Sequence, residues 1–317
     1  MVEVSVLMSS YNHEKYVAQA IESVLNQTFR DLELIIVDDC STDNSRKIIE
    51  TYQARDERVR AYFHEKNMGI PKTANDCLKR VKGKFISFIG SDDMWVHSKL
   101  EKQLKVLRNN EDKLLWSEAF IIDGKGLPTG GTITQLLYSR KKSGDLFEEL
   151  LQESFVFFQS LIFKAKYVEG LQRDEELKYV SDHRFIVDLS KKHEFIFMKE
   201  PLAKYRIHRD NITNKHKLGW MKERIILRKY FLQKYSDLIS TRTKADIHYK
   251  IGHAYSLLGD QLTAQYYYLR AFYIDYFHVS GALYLILALT EGKGRIGKPI
   301  VKYYFDFTSF LANLKSS

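Results

Sequence analysis

The chain has only two cysteines in 317 residues. Cys40 and Cys77 show no metal-ligand spacing, which excludes a disulfide scaffold or a thiolate zinc site and leads us to expect a reduced, cytoplasmic setting. Long apolar runs are also missing. The longest, residues 281–289, falls well short of the roughly 20 residues that span a bilayer. Met1 leads directly into the strand-like run at residues 4–8, without a basic n-region and an apolar h-region, so no secretory signal is expected. Neither a Walker loop nor a glycine-rich dinucleotide fingerprint occurs. Any bound phosphate must therefore be neutralised by a metal and side chains instead of a helix N-terminus.

What is present is an ordinary globular composition, 44% hydrophobic and 28% charged, long enough for one large domain and a smaller partner. Net charge is +9, and residues 217–317 hold 15 Lys+Arg against 7 Asp+Glu, so that third carries +8 of it. With its many aromatics it suits an anionic partner, either membrane headgroups or a polyanionic substrate. A solvated basic helical surface would read the same way.

The first half alternates strand and helix patterns. Strands are expected at residues 4–8, 32–37, 59–64 and 84–89, and helices at 16–26, 45–54, 71–81 and 99–108. Crossover helices between four strands argue for a largely parallel α/β sheet. Beyond Asp112 the alternation fails. Residues 114–122 and 155–163 read as strands, separated by a Gly/Thr/Ser-rich loop at 124–144 of the kind that forms lids. A short helix at 182–190 and short strands at 195–197 and 203–207 follow. From about Leu218 the pattern is helical, with helices at 245–258, 263–276 and 279–289. One unit there resembles a tetratricopeptide repeat, but it has no second copy and reads as a helical appendage.

Open α/β sheets bind ligands at the carboxyl ends of their strands. Three polar clusters stand there: Ser9-Ser10-Tyr11-Asn12, Asp38-Asp39-Cys40-Ser41-Thr42-Asp43 and Gly90-Ser91-Asp92-Asp93. Carboxylates gathered on one rim repel and call for a cation, and a hard divalent ion bridging carboxylates and substrate phosphates is the usual answer. A lone pair such as Asp38-Asp39 could be a turn, and Asp43 could cap the next helix. Two Asp-Asp pairs ending two buried strands point instead to a site.

These clusters, with Ala20 to Thr28, Asn67-Met68-Gly69, Gly83-Lys84-Phe85-Ile86 and Tyr205 to Thr213, resemble family 2 glycosyltransferases of the GT-A fold. The resemblance runs in order over about the first 95 residues, weakens between Trp116 and Val180, and returns at Ser181-Asp182. It implies an α/β, Rossmann-like mixed sheet, mostly parallel and flanked by helices; the last hundred residues lie outside it and read, from their own pattern, as a C-terminal helical appendage. Residues 1–215 would form the catalytic domain and 216–317 an α-helical domain for membrane association or dimerisation. It further implies an inverting, metal-dependent hexosyltransferase using Mn²⁺ or Mg²⁺, a UDP-sugar donor and a saccharide acceptor, lipid-linked in one version.

Residue by residue, the resemblance makes Tyr11 stack on the base and Asp39 accept its ring N–H, which suits uracil because a carboxylate only accepts. It also places Ser9 and Asn12 at the nucleotide-sugar. Asp92 would reach the ribose and Asp93 would ligate the metal. Gly90 stands where many relatives have an acid. Asp182 would be the catalytic base, worth typically 10²–10⁴-fold, although Ser181 stands where many relatives have Glu. Lys72 or Lys66, and His208 or Arg206, would approach the diphosphate.

Two other readings compete. A nucleotidyltransferase uses similar sheets, yet it generally carries a glycine-rich basic motif after the first strand, where Ser-Ser-Tyr-Asn stands here. An inactive glycan- or nucleotide-binding module would have no need of the acidic cluster, and no nucleic-acid motif appears. The basic, aromatic third also suggests peripheral attachment to the cytoplasmic face of an anionic membrane through residues 245–289 and 298–310, or a homodimer interface.

Overall fold

A computed structural model of the chain describes residues 2–136, 142–209, 211 and 215–275. It divides into two compact units, Met1–His216 and Lys217–Ser317.

The first unit is built on one sheet. Its strands are β1 (Val4–Ser10), β2 (Leu32–Asp38), β3 (Val59–Phe63), β4 (Phe85–Gly90), β5 (Met94–Trp95), β6 (Leu114–Ile122), β7 (Pro128–Thr132), β8 (Ile162–Lys164) and β9 (Phe195–Arg206). Their order is β3-β2-β1-β4-β8-β6-β9-β5, with β7 added on β6. β3, β2, β1 and β4 run parallel. β8 enters antiparallel between β4 and β6, and β6 pairs β9 in parallel. The sheet is therefore mixed with a parallel core, as the resemblance to the GT-A fold implies.

The near-continuous apolar runs of β1, β2 and β4 follow from burial on both faces, the normal state of a parallel strand. Every residue of β2 is buried. Helices α1 (Val17–Leu25), α2 (Ser45–Arg55), α3 (Ile70–Leu78) and α4 (Lys99–Leu107) make the crossovers and the following connection. On α1 the buried residues are Val17, Ala20, Ile21, Val24 and Leu25, one apolar stripe at helical spacing. Pro71 sits in the first turn of α3, where a missing N–H costs nothing.

The structure corrects three expectations in the second half of this unit. Residues 155–163 do not form one strand. A 3-10 turn at Phe158–Ser160 bends the chain, Ser160 Oγ donates to Phe157 O at 2.8 Å, and Phe158 packs on Phe88 at 4.3 Å. The stretch from Gly124 is not simply a loop. Asp123 Oδ1 accepts the N–H groups of Lys125 and Leu127 and closes a turn that folds β7 back on β6, followed by helix α5 (Ile133–Leu136). Residues 137–141 of that stretch lie outside the described residues. Finally, the two short strands expected around 195–207 are one twelve-residue strand, β9. Register shifts between Ser117 and Ala119 absorb its polar interruption. Helix α6 (Phe147–Gln152) has no counterpart among the expected elements, while α7 (Ser181–Ser190) matches the short helix expected at 182–190.

The second unit contains α8 (Lys217–Tyr235), α9 (Thr241–Leu257) and α10 (Gln261–Ile274). Ser240 and Asp260 cap α9 and α10 by accepting the N–H groups of Thr243 and Thr263, as N-cap residues do. α9 and α10 pack closely at Gly252, where an added Cβ would stand 2.9 Å from the Tyr268 ring and 3.0 Å from Ala264 O. Among the described residues no helix is long and apolar enough to cross a membrane. The helix expected at 279–289 and the segment 298–310 lie outside the described residues.

Candidate active site

The strand order reverses at β1. The chain winds outward to β2 and β3, then returns to place β4 on the other flank of β1. Such a switch point opens a crevice at the carboxyl ends of the strands, where ligands bind in this class of sheet. Ser9 pairs in register with Gly90, and Ser10 with Asp38, so the loops after β1, β2 and β4 emerge side by side.

The first two loops are tied together. Asn12 adopts φ 53°, a left-handed conformation that Asn tolerates better than most residues. Its N–H donates to Ser41 Oγ at 2.9 Å and its Oδ1 accepts Thr42 N–H at 2.8 Å. Asp38 accepts both the N–H and the hydroxyl of Ser41. Asp43 accepts the N–H groups of Glu14 and Ser45. Tyr11, at the mouth, is 43% exposed, leaving a ring face for a planar ligand. Asn12 is therefore a strut between loops.

Asp39 is buried and nearly saturated. Its Oδ1 accepts Met68 N–H at 2.7 Å and meets His64 Nδ1 at 2.8 Å, while Oδ2 accepts Gly69 N–H at 2.8 Å. A carboxylate offers about four acceptor sites, so one remains, on Oδ2. His64 Nε2 reaches Asp76 at 3.1 Å, fixing the imidazole between two carboxylates. Asn67 and Gly69 thus serve the site by shaping the loop that presents backbone N–H groups to Asp39.

The β4 loop carries Asp92 and Asp93. An added Cβ at Gly90 would stand 2.8 Å from Asp92 Oδ1 and 2.9 Å from Asp93 Oδ2, so the glycine makes room for two carboxylates folded back over the strand end. The two differ in environment. Asp93 Oδ1 accepts the Arg206 N–H at 2.9 Å. Burial and the adjacent Asp92 charge push its carboxyl well above the ordinary value. Burial would raise Asp92 too, but the hydrogen bond from His208 and the charges of His13 and His208 hold it below its ordinary value.

Asp92 Oδ2 stands 3.1 Å from His208 Nε2 and 3.9 Å from His13 Nε2. His13, Asp92 and His208 each offer one donor atom within 4.8 Å of the others. A carboxylate and imidazoles at this separation suit a divalent ion. Asp92 is the carboxylate facing the imidazoles, while Asp93, expected from the sequence to ligate the metal, uses Oδ1 to accept the backbone N–H of Arg206 on β9.

Arg206, fully buried, ties these parts together. Its Nε donates to Asp92 O at 2.6 Å and Nη2 to Gln19 Oε1 at 2.7 Å. Nη1 donates to Asp123 O and Gly124 O at 3.3 Å, and the guanidinium lies over the Tyr16 ring. All three guanidinium nitrogens are thus engaged by protein acceptors, which makes Arg206 a strut and leaves His208 to face the ligand.

The remaining expected residues lie as follows. Ser9 is half-buried at the end of β1. Lys72, in the first turn of α3, is drawn to Glu175 at 3.5 Å. Lys66 is exposed. Asp182 lies in the first turn of α7 and accepts the His183 N–H at 2.8 Å. The neighbouring Arg173 is buried against Phe158 and feels the Asp182 charge.

Comparisons with known proteins bear on the family and the fold. The family model described as "Glycosyl transferase family 2" matches residues 5–171. An uncharacterized glycosyltransferase of Methanocaldococcus jannaschii is 32% identical over 68% of this chain and 74% of its own. A putative teichuronic acid biosynthesis glycosyltransferase of Bacillus subtilis, TuaG, is 30% identical over 73% of this chain and 90% of its own. Among solved structures, S. aureus TarS 1-349 in complex with UDP-GlcNAc superposes with a TM-score of 0.64 at 18% identity, covering 86% of this chain and 81% of that one. The chain spans 49% of a longer TarS structure.

Proposed function

The chain belongs to glycosyl transferase family 2, and on that premise we propose that it transfers a sugar, with inversion, from a UDP-sugar to a hydroxyl of a cell-surface glycan or its lipid-linked precursor. The observation that carries this reading is the meeting of two features at one switch point: a buried carboxylate with one acceptor site left, and a carboxylate–imidazole cluster. TarS, which shares the fold, was solved with UDP-GlcNAc, and TuaG is named for teichuronic acid biosynthesis. The first supports a nucleotide-sugar donor and the second a cell-surface glycan as acceptor.

In this reading Tyr11 stacks on uracil and the free acceptor site of Asp39 takes the uracil N3–H. The N–H groups of Met68 and Gly69 keep Asp39 an acceptor that rejects cytosine, whose ring nitrogen offers no proton. Ser9 and Lys72 line the approach to the nucleotide. Asp92 and His208 would hold Mn²⁺ or Mg²⁺, and Asp93 and Arg206 fix the backbone from which Asp92 projects. The ion, when bound, stabilises charge developing on the leaving diphosphate.

Asp182 takes the proton from the attacking hydroxyl, with its charge steadied by Arg173. Attack opposite the leaving group inverts the anomeric centre, so an α-linked donor gives a β-linked product. The basic second unit would bring this centre to an anionic membrane surface or a second copy of the chain. Family membership sets the nucleotidyltransferase reading aside.

The test is release of nucleoside diphosphate from UDP-, GDP- and dTDP-sugars, with Mn²⁺ or with EDTA, for the wild type and Asp182→Asn. Turnover of a UDP-sugar is expected, lost with EDTA and lowered about 10²–10⁴-fold by the substitution. Equal turnover by the variant would refute the role of Asp182. UDP binding without turnover of any donor, even with acceptor glycans added, would favour an inactive binding module.

A further inference from the structure

His13 lies one residue past the Ser-Ser-Tyr-Asn cluster and stands with Asp92 and His208 in the carboxylate–imidazole cluster. We propose that His13 is a third protein ligand of the ion held by Asp92 and His208, and that its imidazole turns the site toward Mn²⁺ over Mg²⁺. The inference rests on the reading of Asp92 and His208 as ion-holding groups.

Geometry argues first. The 3.9 Å between His13 Nε2 and Asp92 Oδ2 is too long for a hydrogen bond. Donor atoms each about 2.1 Å from one ion stand at most about 4.2 Å apart. The 3.1 Å between His208 and Asp92 and the 3.9 Å between His13 and Asp92 both fall within that reach.

Orientation argues second. His13 Nδ1 is hydrogen-bonded to Ser91 Oγ at 2.8 Å, which leaves Nε2 facing Asp92. Metal-bound imidazoles characteristically have their other nitrogen fixed this way. Ser91 precedes Asp92 on the same loop, so one turn supplies both a ligand and the group that orients another.

The backbone is also fixed. His13 N–H donates to Ser45 Oγ at 2.9 Å, and its carbonyl accepts the N–H groups of Tyr16 and Val17 at 2.9 Å each at the start of α1. The His208 ring meets the His13 ring edge-on at 5.9 Å.

Chemistry decides the ion. Mg²⁺ favours oxygen ligands in near-ideal octahedra, whereas a mixed imidazole–carboxylate set accommodates softer divalent ions. Among the two ions that the fold suggests, two imidazoles favour Mn²⁺.

The experiment loads full-length wild-type protein with Mn²⁺ and records electron spin-echo modulation, using isotope-labelled histidine to count coordinated imidazoles. Mn²⁺ affinity and Mg²⁺ competition are measured by calorimetry on wild type, His13→Gln, Ser91→Ala and Asp92→Asn. Two coordinated imidazoles are expected. Losing an outer-shell partner costs about 10–100-fold in metal affinity, so Ser91→Ala should weaken Mn²⁺ within that range and His13→Gln by at least as much, with a reduced preference over Mg²⁺. One imidazole, or an unchanged Mn²⁺ affinity in His13→Gln while Asp92→Asn loses it, would overturn the role of His13 alone. Unchanged affinity in Asp92→Asn as well would overturn the underlying ion site. The wild-type spectrum decides the question even if a variant fails to fold.

Discussion

Replacing Arg206 with Met keeps the length of the side chain and removes every hydrogen bond it makes. Two of the lost bonds are short, to Asp92 O at 2.6 Å and Gln19 Oε1 at 2.7 Å. Bonds from a charged donor contribute about 1.5–3 kcal/mol each. The two at 3.3 Å add little, and removing the guanidinium recovers part of its desolvation cost. A net loss of about 3–5 kcal/mol follows, a large fraction of the 5–15 kcal/mol that holds a typical domain.

Urea unfolding followed by tryptophan fluorescence reads this loss. A Trp220→Phe background leaves Trp95 and Trp116, both in the first unit, as reporters. With a slope of about 2 kcal/mol per M, the midpoint should fall by about 2 M at unchanged slope. Arg206→Lys should recover only a small part, because one ammonium cannot reach acceptors on three separate segments. A loss below about 1 kcal/mol would refute the view of Arg206 as the strut joining β9, α1 and the Asp92 turn.

Other consequences are equally direct. His64→Phe removes one of the three bonds orienting Asp39, so calorimetry should show UDP binding about 10-fold weaker, with Asp39→Ala weaker still; each charge-assisted bond lost is worth about 1.5–3 kcal/mol. Burial pushes the Cys77 thiol up to about 12 while Cys40, beside Asp39, is half-exposed; native protein should therefore take up one equivalent of thiol reagent, at Cys40, and UDP should slow it. His248 is depressed from 6.5 to about 4, chiefly by burial and then by the charge of Arg270. Its stabilising contribution is therefore full above pH 6.5 and is lost as pH falls toward 4. Hydrogen exchange in α9 and α10, corrected for intrinsic rates, should show that loss in wild type and not in His248→Gln.

The half of the fold that was legible in the sequence is the half whose strands are buried on both faces. The apolar runs of β1, β2 and β4, each ending in a polar cluster, announce a parallel sheet and its ligand rim at once. The pattern of β9 divides into two strands because Lys199, Glu200 and Pro201 interrupt it; register shifts against β6 accommodate them. β7 is a glycine-containing strand with exposed residues, which carries no alternation to read.

At the site, Tyr11, Asp39 and Asp92 stand in clusters visible along the chain. The contacts among His13, Ser91 and His208 join three remote segments, and a single sequence carries no record of such proximity. Gly90 looked like a missing acid and is instead the residue that lets two carboxylates crowd one strand end. Arg206 stands in the sequence like a phosphate ligand, and only the fold shows its guanidinium engaged by Asp92 O, Gln19 and the Asp123 and Gly124 carbonyls.

The most direct test of the account is calorimetry of UDP and GDP binding to the full-length protein, with Mn²⁺ and with EDTA, alongside Asp92→Asn. Tight UDP binding that needs Mn²⁺, discriminates against GDP and weakens at least 10-fold in Asp92→Asn is the predicted result, 10-fold being about 1.4 kcal/mol. UDP binding that is indifferent to EDTA and to the Asp92 substitution, or a preference for GDP, would contradict it.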